Sequence, residues 1–293
     1  MEKRKFLFIV NPISGGIKKD HWIKKLRQEL NARQMNAEIE FPSSDLDTQT
    51  IASQAVVAGI DTLVACGGDG TINDIARKIV STETALGIIP LGSGNGFARA
   101  LKIPFSLSES LDLVQKGSIQ NLDSGLVNER FFMNIAGFGF DAHIAGLFQG
   151  SKRRGFSTYA KLTLQAYWKY KPESYRIVTD GVHSERKSFF SAVCNGSQFG
   201  NNFTVAPRAD LMDGLLELIE VDKPGVMQVP LLALNALQRR FDKNKLVQTA
   251  NGSTFTIERF QAGLVNIDGE PEMMENKLHF SVNQGSLPVI CRQ

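Results

Sequence analysis

The spacing of apolar and polar side chains changes character along this chain. Residues 5–10 form a short apolar run that Asn11-Pro12 stops. Residues 21–33 place Trp22, Ile23, Leu26 and Leu30 at helical spacing, and residues 37–41 alternate with the period of a strand. Residues 52–58 then predict a helix, 62–66 a strand, 72–80 a helix, 85–89 a strand and 97–101 a helix. Strand, glycine loop and helix repeating in this order predict an α/β domain, with a parallel sheet covered by helices. After about residue 121 the texture becomes β-rich, in short runs at 130–135, 175–179, 188–193, 215–221, 253–260, 264–267 and 278–282. Asp213-Gly214, Asn251-Gly252 and Asp268-Gly269 separate them as turn signals, which predicts an antiparallel sandwich or barrel. Two helical interruptions fall at about 157–170 and 226–240.

The 293 residues match two domains at about 150 residues each. The boundary is placed after residue 126. This gives an α/β domain over 1–126 and a β-rich domain over 127–293, whose C-terminal tail has the option of returning to the first. Hydrophobic residues at 42% and charged residues at 22% exclude disorder and fibrous repeats. Three widely spaced cysteines, Cys66, Cys194 and Cys291, form no disulfide framework or paired zinc spacing, so a reducing compartment is expected. The first apolar run is too short for a signal peptide, and no stretch approaches the roughly 20 apolar residues of a membrane span. A cytoplasmic protein follows.

A net charge of +3 does not argue for nucleic acid as a partner. Its distribution says more. Residues 1–126 hold 14 basic and 14 acidic side chains, whereas 151–171 hold six basic ones (Lys152, Arg153, Arg154, Lys161, Lys169, Lys171) and no acid. Phe156, Tyr159, Tyr167, Trp168 and Tyr170 are interleaved with them. Cations with interfacial aromatics suit adsorption to an anionic lipid surface, and equally suit a packing helix with solvated lysines.

Eight of the 26 glycines fall between residues 59 and 96, in loops where a strand should turn into a helix. Such loops let backbone N–H groups approach an anion at the positive end of a helix. In GGDGTIND, Gly67 and Gly68 end a strand, Asp69 sits at the tip, and Gly70, Thr71, Ile72 and Asn73 lead into the helix. Asp69 reads either as a helix cap or as a carboxylate that meets a cation or a hydroxyl proton. PLGSGNGFARAL repeats the device, with Ser93 and Asn95 able to donate to phosphate or cap the helix. NPISGG follows the first strand. Three such loops belong along one edge of the sheet, where strands end at their carboxyl termini and ligands bind. Neither a P-loop nor a dinucleotide fingerprint is present.

NPISGG, GGDGTIND and PLGSGNGFARAL, followed by NLDSGLVN, FFMNIAGFGFDA, PRADLMDGLLEL and NIDGEP, resemble the diacylglycerol kinase catalytic-domain family over the whole chain, and the bacterial soluble lipid kinases in particular. The resemblance implies an N-terminal fold like that of NAD kinase and phosphofructokinase, plus a C-terminal β-sandwich. It implies ATP and Mg2+ as cofactors and a lipid alcohol such as diacylglycerol as acceptor. Asn11, Pro12, Ile13, Ser14 and Gly15 match the first nucleotide loop. Gly67, Gly68, Asp69, Gly70, Thr71, Ile72 and Asn73 match the loop that holds the ATP phosphates. Ser93 and Ser43 match further nucleotide contacts. Asp210, Asp213 and the carbonyl of Leu215 match a structural magnesium site. Glu270 matches the proton acceptor, and Asp268 and Asp69 are grouped with it as catalytic carboxylates around the phosphate, in a cleft between the domains. Read without the family, Asp268-Gly269 and Asp213-Gly214 are ordinary turn signals.

Gly96 departs from the Asp common in bacterial members, and GSGN is similar to the sphingosine kinase form of this loop. Acceptors to be distinguished are therefore diacylglycerol, a sphingoid base and another lipid alcohol, and an NAD-kinase-like enzyme that phosphorylates a soluble nucleotide is a separate alternative. A non-catalytic nucleotide or lipid sensor is a further alternative. A homodimer is left open. His21, His143, His183 and His279 are scattered and read as structural or surface residues.

Overall fold

A computed structural model describes residues 4–12, 19–151 and 156–292. Two compact units are present: residues 1–123 with 284–293, and residues 124–283.

The first unit contains β1 (Lys5–Val10), α1 (Lys19–Ala32), β2 (Asn36–Glu40), α2 (Asp45–Val57), β3 (Thr62–Gly67), α3 (Asp69–Ile79), β4 (Ala85–Pro90), α4 (Gly96–Ala100) and α5 (Leu107–Lys116), followed by the start of β5 (Ser118–Val127). Its strands pair in parallel in the order β2-β1-β3-β4. Near the chain's end, Val289 pairs in parallel with Leu86 of β4. Every residue of β3 and β4 is buried, as expected for parallel strands covered on both faces. Leu26 and Leu30 of α1 and Leu107, Leu111 and Val114 of α5 pack with Phe6, Phe8, Val64 and Ile89. Ile72, Ile75 and Ile79 are the buried apolar stripe of α3.

The second unit contains β6 (Arg130–Phe132), β7 (Ile135–Gly139), α6 (Phe140–Gln149), α7 (Phe156–Lys169), β8 (Glu173–Thr179), β9 (Val182–Ser188), β10 (Phe190–Cys194), β11 (Leu216–Val221), α8 (Val229–Leu237), β12 (Val247–Gly252), β13 (Thr254–Arg259), β14 (Gly263–Ile267), β15 (Glu270–Met274) and the first part of β16 (Lys277–Cys291). One antiparallel sheet runs β12-β11-β10-β7-β14-β15, and β16, β13, β8 and β9 pair antiparallel beside one another. Phe138 of β7 meets Tyr175 of β8 edge-on at 5.1 Å and Phe280 of β16 at 6.2 Å. With Phe132, Phe255 and Ile257 they form the core of a sandwich. The other face of the six-stranded sheet carries Ile135, Cys194, Ile219 and Val221, covered by Ala206, Ala236 and Phe241.

Several elements differ from the pattern reading. The run at 130–135 is two strands, because the chain breaks at Met133-Asn134: β6 pairs β5, whereas β7 pairs β10 and β14. Asn251-Gly252 is not a turn. Both residues are the end of β12, opposite Glu217 and Leu216. The helix expected at 226–240 is shorter, a 3-10 turn at 226–228 followed by α8. Helices α5 and α6 have no counterpart in the pattern reading. For α5 a signal existed: Ser106 accepts a hydrogen bond from the Glu109 N–H, an S-x-x-E start. The three cysteines are free and buried. No described helix is long and apolar enough to cross a membrane.

Candidate active site

Three loops leave the carboxyl ends of the adjacent strands β1, β3 and β4. The order 2-1-3-4 makes the gap between β1 and β3 the point where the chain reverses its direction of growth, where open α/β sheets bind ligands. Asn11 stands there. Its N–H donates to the Cys66 carbonyl at 3.1 Å and its Nδ2 to Thr71 Oγ1 at 2.9 Å. Pro12 is exposed, and Ile13, Ser14 and Gly15 lie outside the described residues.

At the end of β3, Gly67 passes under Thr71. A Cβ on Gly67 would stand 2.4 Å from Thr71 Oγ1. Gly68 is the N-cap of α3 and, having no side chain, makes no side-chain cap. Asp69 is thus the first residue of the helix rather than the tip of a loop. The second glycine loop lies against the first: a Cβ on Gly92 would fall 2.6 Å from the Cα of Gly68. Two backbones approach here as only glycines allow. Asn95 holds the second loop in shape. It is buried at φ +49 and bonds Gly92 twice, accepting from its N–H at 3.1 Å and donating Nδ2 to its carbonyl at 2.5 Å. Its amide is therefore turned inward and does not cap α4. Arg99 donates Nε to the Gly94 carbonyl at 3.0 Å and stacks over Phe105 at 4.4 Å.

Asp69 faces the second loop and accepts from the Phe97 N–H at 3.3 Å. Burial raises its carboxyl above the ordinary range, opposed by the amides of Gly96, Phe97 and Asn95. Gly70 and Ser93 are exposed. Thr71, Ile72 and Asn73 are buried, and Asn73 Oδ1 accepts from Arg77 Nε at 2.9 Å. Ser43 is exposed, and its N–H and Oγ both donate to Asp47 at 2.7 and 3.1 Å. Its neighbour Ser44 caps α2.

In the second unit, Asp268-Gly269 form the two-residue loop between β14 and β15, with φ +49 and +99, the positive pair of a type I′ hairpin. Glu270 follows as the first residue of β15, exposed and opposite Ile267. The Asp268 carboxylate accepts from three consecutive amides: Met133 at 2.8 Å, Asn134 at 3.0 Å and Ile135 at 2.9 Å. The Asp268 N–H donates back to the Ile135 carbonyl at 2.9 Å. This one side chain pins the hairpin to the break between β6 and β7. Asn195 and Gly196 reinforce that break through the Asn134 carbonyl, each at 2.8 Å.

Asp210 and Asp213 are exposed, and each folds its carboxylate onto an amide two residues on, Met212 at 3.1 Å and Leu215 at 2.9 Å. Leu215 precedes β11. Among the described residues, no three His, Cys, Asp or Glu side chains are grouped to hold a metal ion. Two carboxylates and a carbonyl remain a hard oxygen set, suited to a cation that keeps several waters. Glu217, in the same chain segment, is buried, and burial pushes its carboxyl up to about 7 against the pull of Arg208.

Both domains recur in known proteins. Residues 5–127 match the diacylglycerol kinase catalytic domain, and residues 134–291 match the YegS C-terminal NAD kinase beta sandwich-like domain. A Chromohalobacter salexigens protein named "Probable lipid kinase YegS-like" is 31% identical over 236 residues, 78% of this chain and 76% of that protein. A Pseudomonas aeruginosa protein of the same name is 30% identical over 253 residues, covering 84% and 81%. A crystal structure of a diacylglycerol kinase from Bacillus anthracis shares the fold with a TM-score of 0.79 at 20% identity, covering 100% of this chain and 98% of that one. The chain belongs to the YegS-like lipid kinase family, with its α/β catalytic domain and its antiparallel sandwich domain.

Proposed function

We propose that this protein transfers the γ-phosphoryl group of ATP to the hydroxyl of a lipid alcohol such as diacylglycerol, with Mg2+, in the cytoplasm at the membrane surface. The observation that carries the reading is the backbone-to-backbone approach of Gly68 and Gly92 at the carboxyl edge of the parallel sheet. A side chain at either glycine would fill the cradle that a polyphosphate needs.

ATP, when bound, supplies an activated phosphoryl group on a good leaving group. The residues fit it. The first amides of α3, from Asp69 to Thr71, have no intrahelical partner and sit at the positive end of the helix. Asn11 fixes Thr71, and Asn95 fixes the Gly92 turn, so the donors are set before the ligand arrives. Ser93 Oγ is exposed and free to turn toward the nucleotide. Asp210, Asp213 and the Leu215 carbonyl would hold Mg2+ through hard oxygens.

Glu270 takes the proton from the acceptor hydroxyl on its carboxylate. An exposed carboxylate at a hairpin end is accessible to a substrate held at an interface, and general-base assistance is worth about 10²–10⁴-fold. Asp268 positions it: with its carboxylate committed to three amides it makes a poor base and a firm anchor. Asp69, partly buried and raised in pKa, lies against the second glycine loop, where it can accept from an ordered donor or meet a cation.

Labelled ATP offered with diacylglycerol, a sphingoid base and NAD, in mixed micelles, tests the reading. Label in phosphatidic acid supports it. Label in NAD alone, or in no acceptor while nucleotide still binds, overturns it.

A further inference from the structure

Helix α8 contains no charged side chain and places leucines on opposite faces. Leu232 and Ala236 pack inward against the six-stranded sheet. Met227, Leu231 and Leu234, at spacings of four and three, line the other side at 90%, 55% and 47% exposure, with Leu237 at 55%. A helix that is apolar all round belongs in a buried place, yet half of this one is open. A contiguous apolar surface of this kind marks an interaction site.

The charge around it names the partner. Between residues 222 and 245 there are five basic side chains (Lys223, Arg239, Arg240, Lys243, Lys245) and two acids, Asp222 and Asp242. Asp242 is already paired with Arg208 and Lys243. Arg239 sits at φ +59, where the helix ends in a Schellman turn: its N–H donates to Ala236 at 3.3 Å and that of Arg240 to Asn235 at 2.8 Å. Glycine is usual there. An arginine instead puts a cation at the end of the exposed leucine stripe.

We infer that α8 is a membrane-docking helix that lies in the interface of an anionic bilayer, with Met227, Leu231, Leu234 and Leu237 among the acyl chains and Arg239, Arg240 and Lys245 at the phosphates. Apolar burial and attraction to anionic lipid act together in such helices. A second copy of the chain would set these cations against one another, whereas an anionic surface neutralises them. The stem of α8 is braced for load: Lys223 Nζ donates to the Tyr170 carbonyl at 2.7 Å, and Tyr167 Oη donates to the Pro224 carbonyl. Both tyrosines lie at the end of α7, where Leu164 and Trp168 are also exposed, at spacing four. The inference deepens the lipid-kinase reading and supplies the surface on which that enzyme would meet its substrate.

Sedimentation of the full chain with vesicles of equimolar phosphatidylglycerol and phosphatidylcholine, against pure phosphatidylcholine, tests it. Leu231→Glu with Leu234→Glu should lower partitioning to the anionic vesicles at least tenfold. Arg239→Glu with Arg240→Glu, which leaves the leucines in place and guards against a folding artefact, should lower it about tenfold. Near-UV circular dichroism and turnover of a short-chain diacylglycerol in detergent should stay at wild-type level in both. Partitioning within twofold of wild type in both variants overturns the inference. So does a wild-type dimer in sedimentation velocity that the leucine variant splits while vesicle binding is unchanged. Absence of phosphoryl transfer in detergent by the wild type, with vesicle binding that still depends on α8, would instead refute the kinase reading and leave the docking helix standing.

Discussion

The backbone of Gly92 lies so close to that of Gly68 that a Cβ added to Gly92 would stand 2.6 Å from the Gly68 Cα, and 2.8 Å from Asn95 Oδ1. The first is backbone, and the second is an amide oxygen that the buried Asn95 holds in place through its bonds to Gly92. Gly92→Ala must push the two loops apart, at about 1–3 kcal/mol for an overpacked site. At Gly94 the nearest atom is Asp69 Oδ2 at 3.3 Å, which is milder. Binding of a fluorescent ATP analogue should fall more than tenfold in Gly92→Ala and much less in Gly94→Ala. Equal losses would show that the approach of the two loops is not what shapes the site.

Asp268 and Glu270 are two residues apart and should fail in different ways. Asp268→Asn replaces a carboxylate that three amides share, and hydrogen bonds to charged groups are the strong ones. A stability loss on the order of 3 kcal/mol is expected by urea unfolding, together with loss of turnover. Glu270→Gln, at an exposed position, should leave stability within about 0.5 kcal/mol and cut kcat by about 10²–10⁴-fold. Full turnover in Glu270→Gln would remove it from the chemistry.

Buried Glu217 makes stability pH-dependent. Its folded pKa, pushed up to about 7 by burial, lies above the ordinary value of 4.5. The neutral form is therefore favoured in the fold. Its contribution is fully present below the unfolded pKa and is lost as pH rises through about 7. The loss on the alkaline side is roughly 3 kcal/mol at most. Glu217→Gln should flatten the fall in unfolding free energy between about pH 5 and about pH 8. Glu220, pushed up to about 7, and Asp141, to about 6, keep part of the slope. An unchanged slope in Glu217→Gln would show that its carboxyl is solvated.

If Asp210 and Asp213 hold Mg2+, the ion binds only the folded state and raises Tm with concentration. Added MgCl2 should raise the Tm of the wild type, and Asp210→Asn with Asp213→Asn should abolish the rise without lowering the metal-free Tm by more than a few degrees. The same rise in both proteins would place the ion elsewhere.

What could be read from the chain alone was whatever lies contiguous in it. The wholly buried runs of β3 and β4, the glycines at their ends and the helix after each are neighbours in sequence, so their order carries both the parallel sheet and the position of the glycine loops. Pairs far apart in sequence were not legible. The Asn11–Thr71 bond spans 60 residues, and the Asp268 carboxylate reaches amides 133 to 135 positions away. That long reach also splits the run at 130–135 into strands of different pairing, because a side chain takes amides that a continuous strand would have given to its neighbours. A turn signal such as Asn251-Gly252 is a local preference, and the ladder with Leu216 and Glu217 outweighs it. Which side of α8 remains open was decided in the same way: its composition is apolar throughout, and only packing against the six-stranded sheet selects the face that meets solvent. Local chemistry thus determined the elements and the loops. Tertiary structure decided which polar groups are spent on holding the fold and which are left for a substrate, because that depends on what arrives from distant parts of the chain.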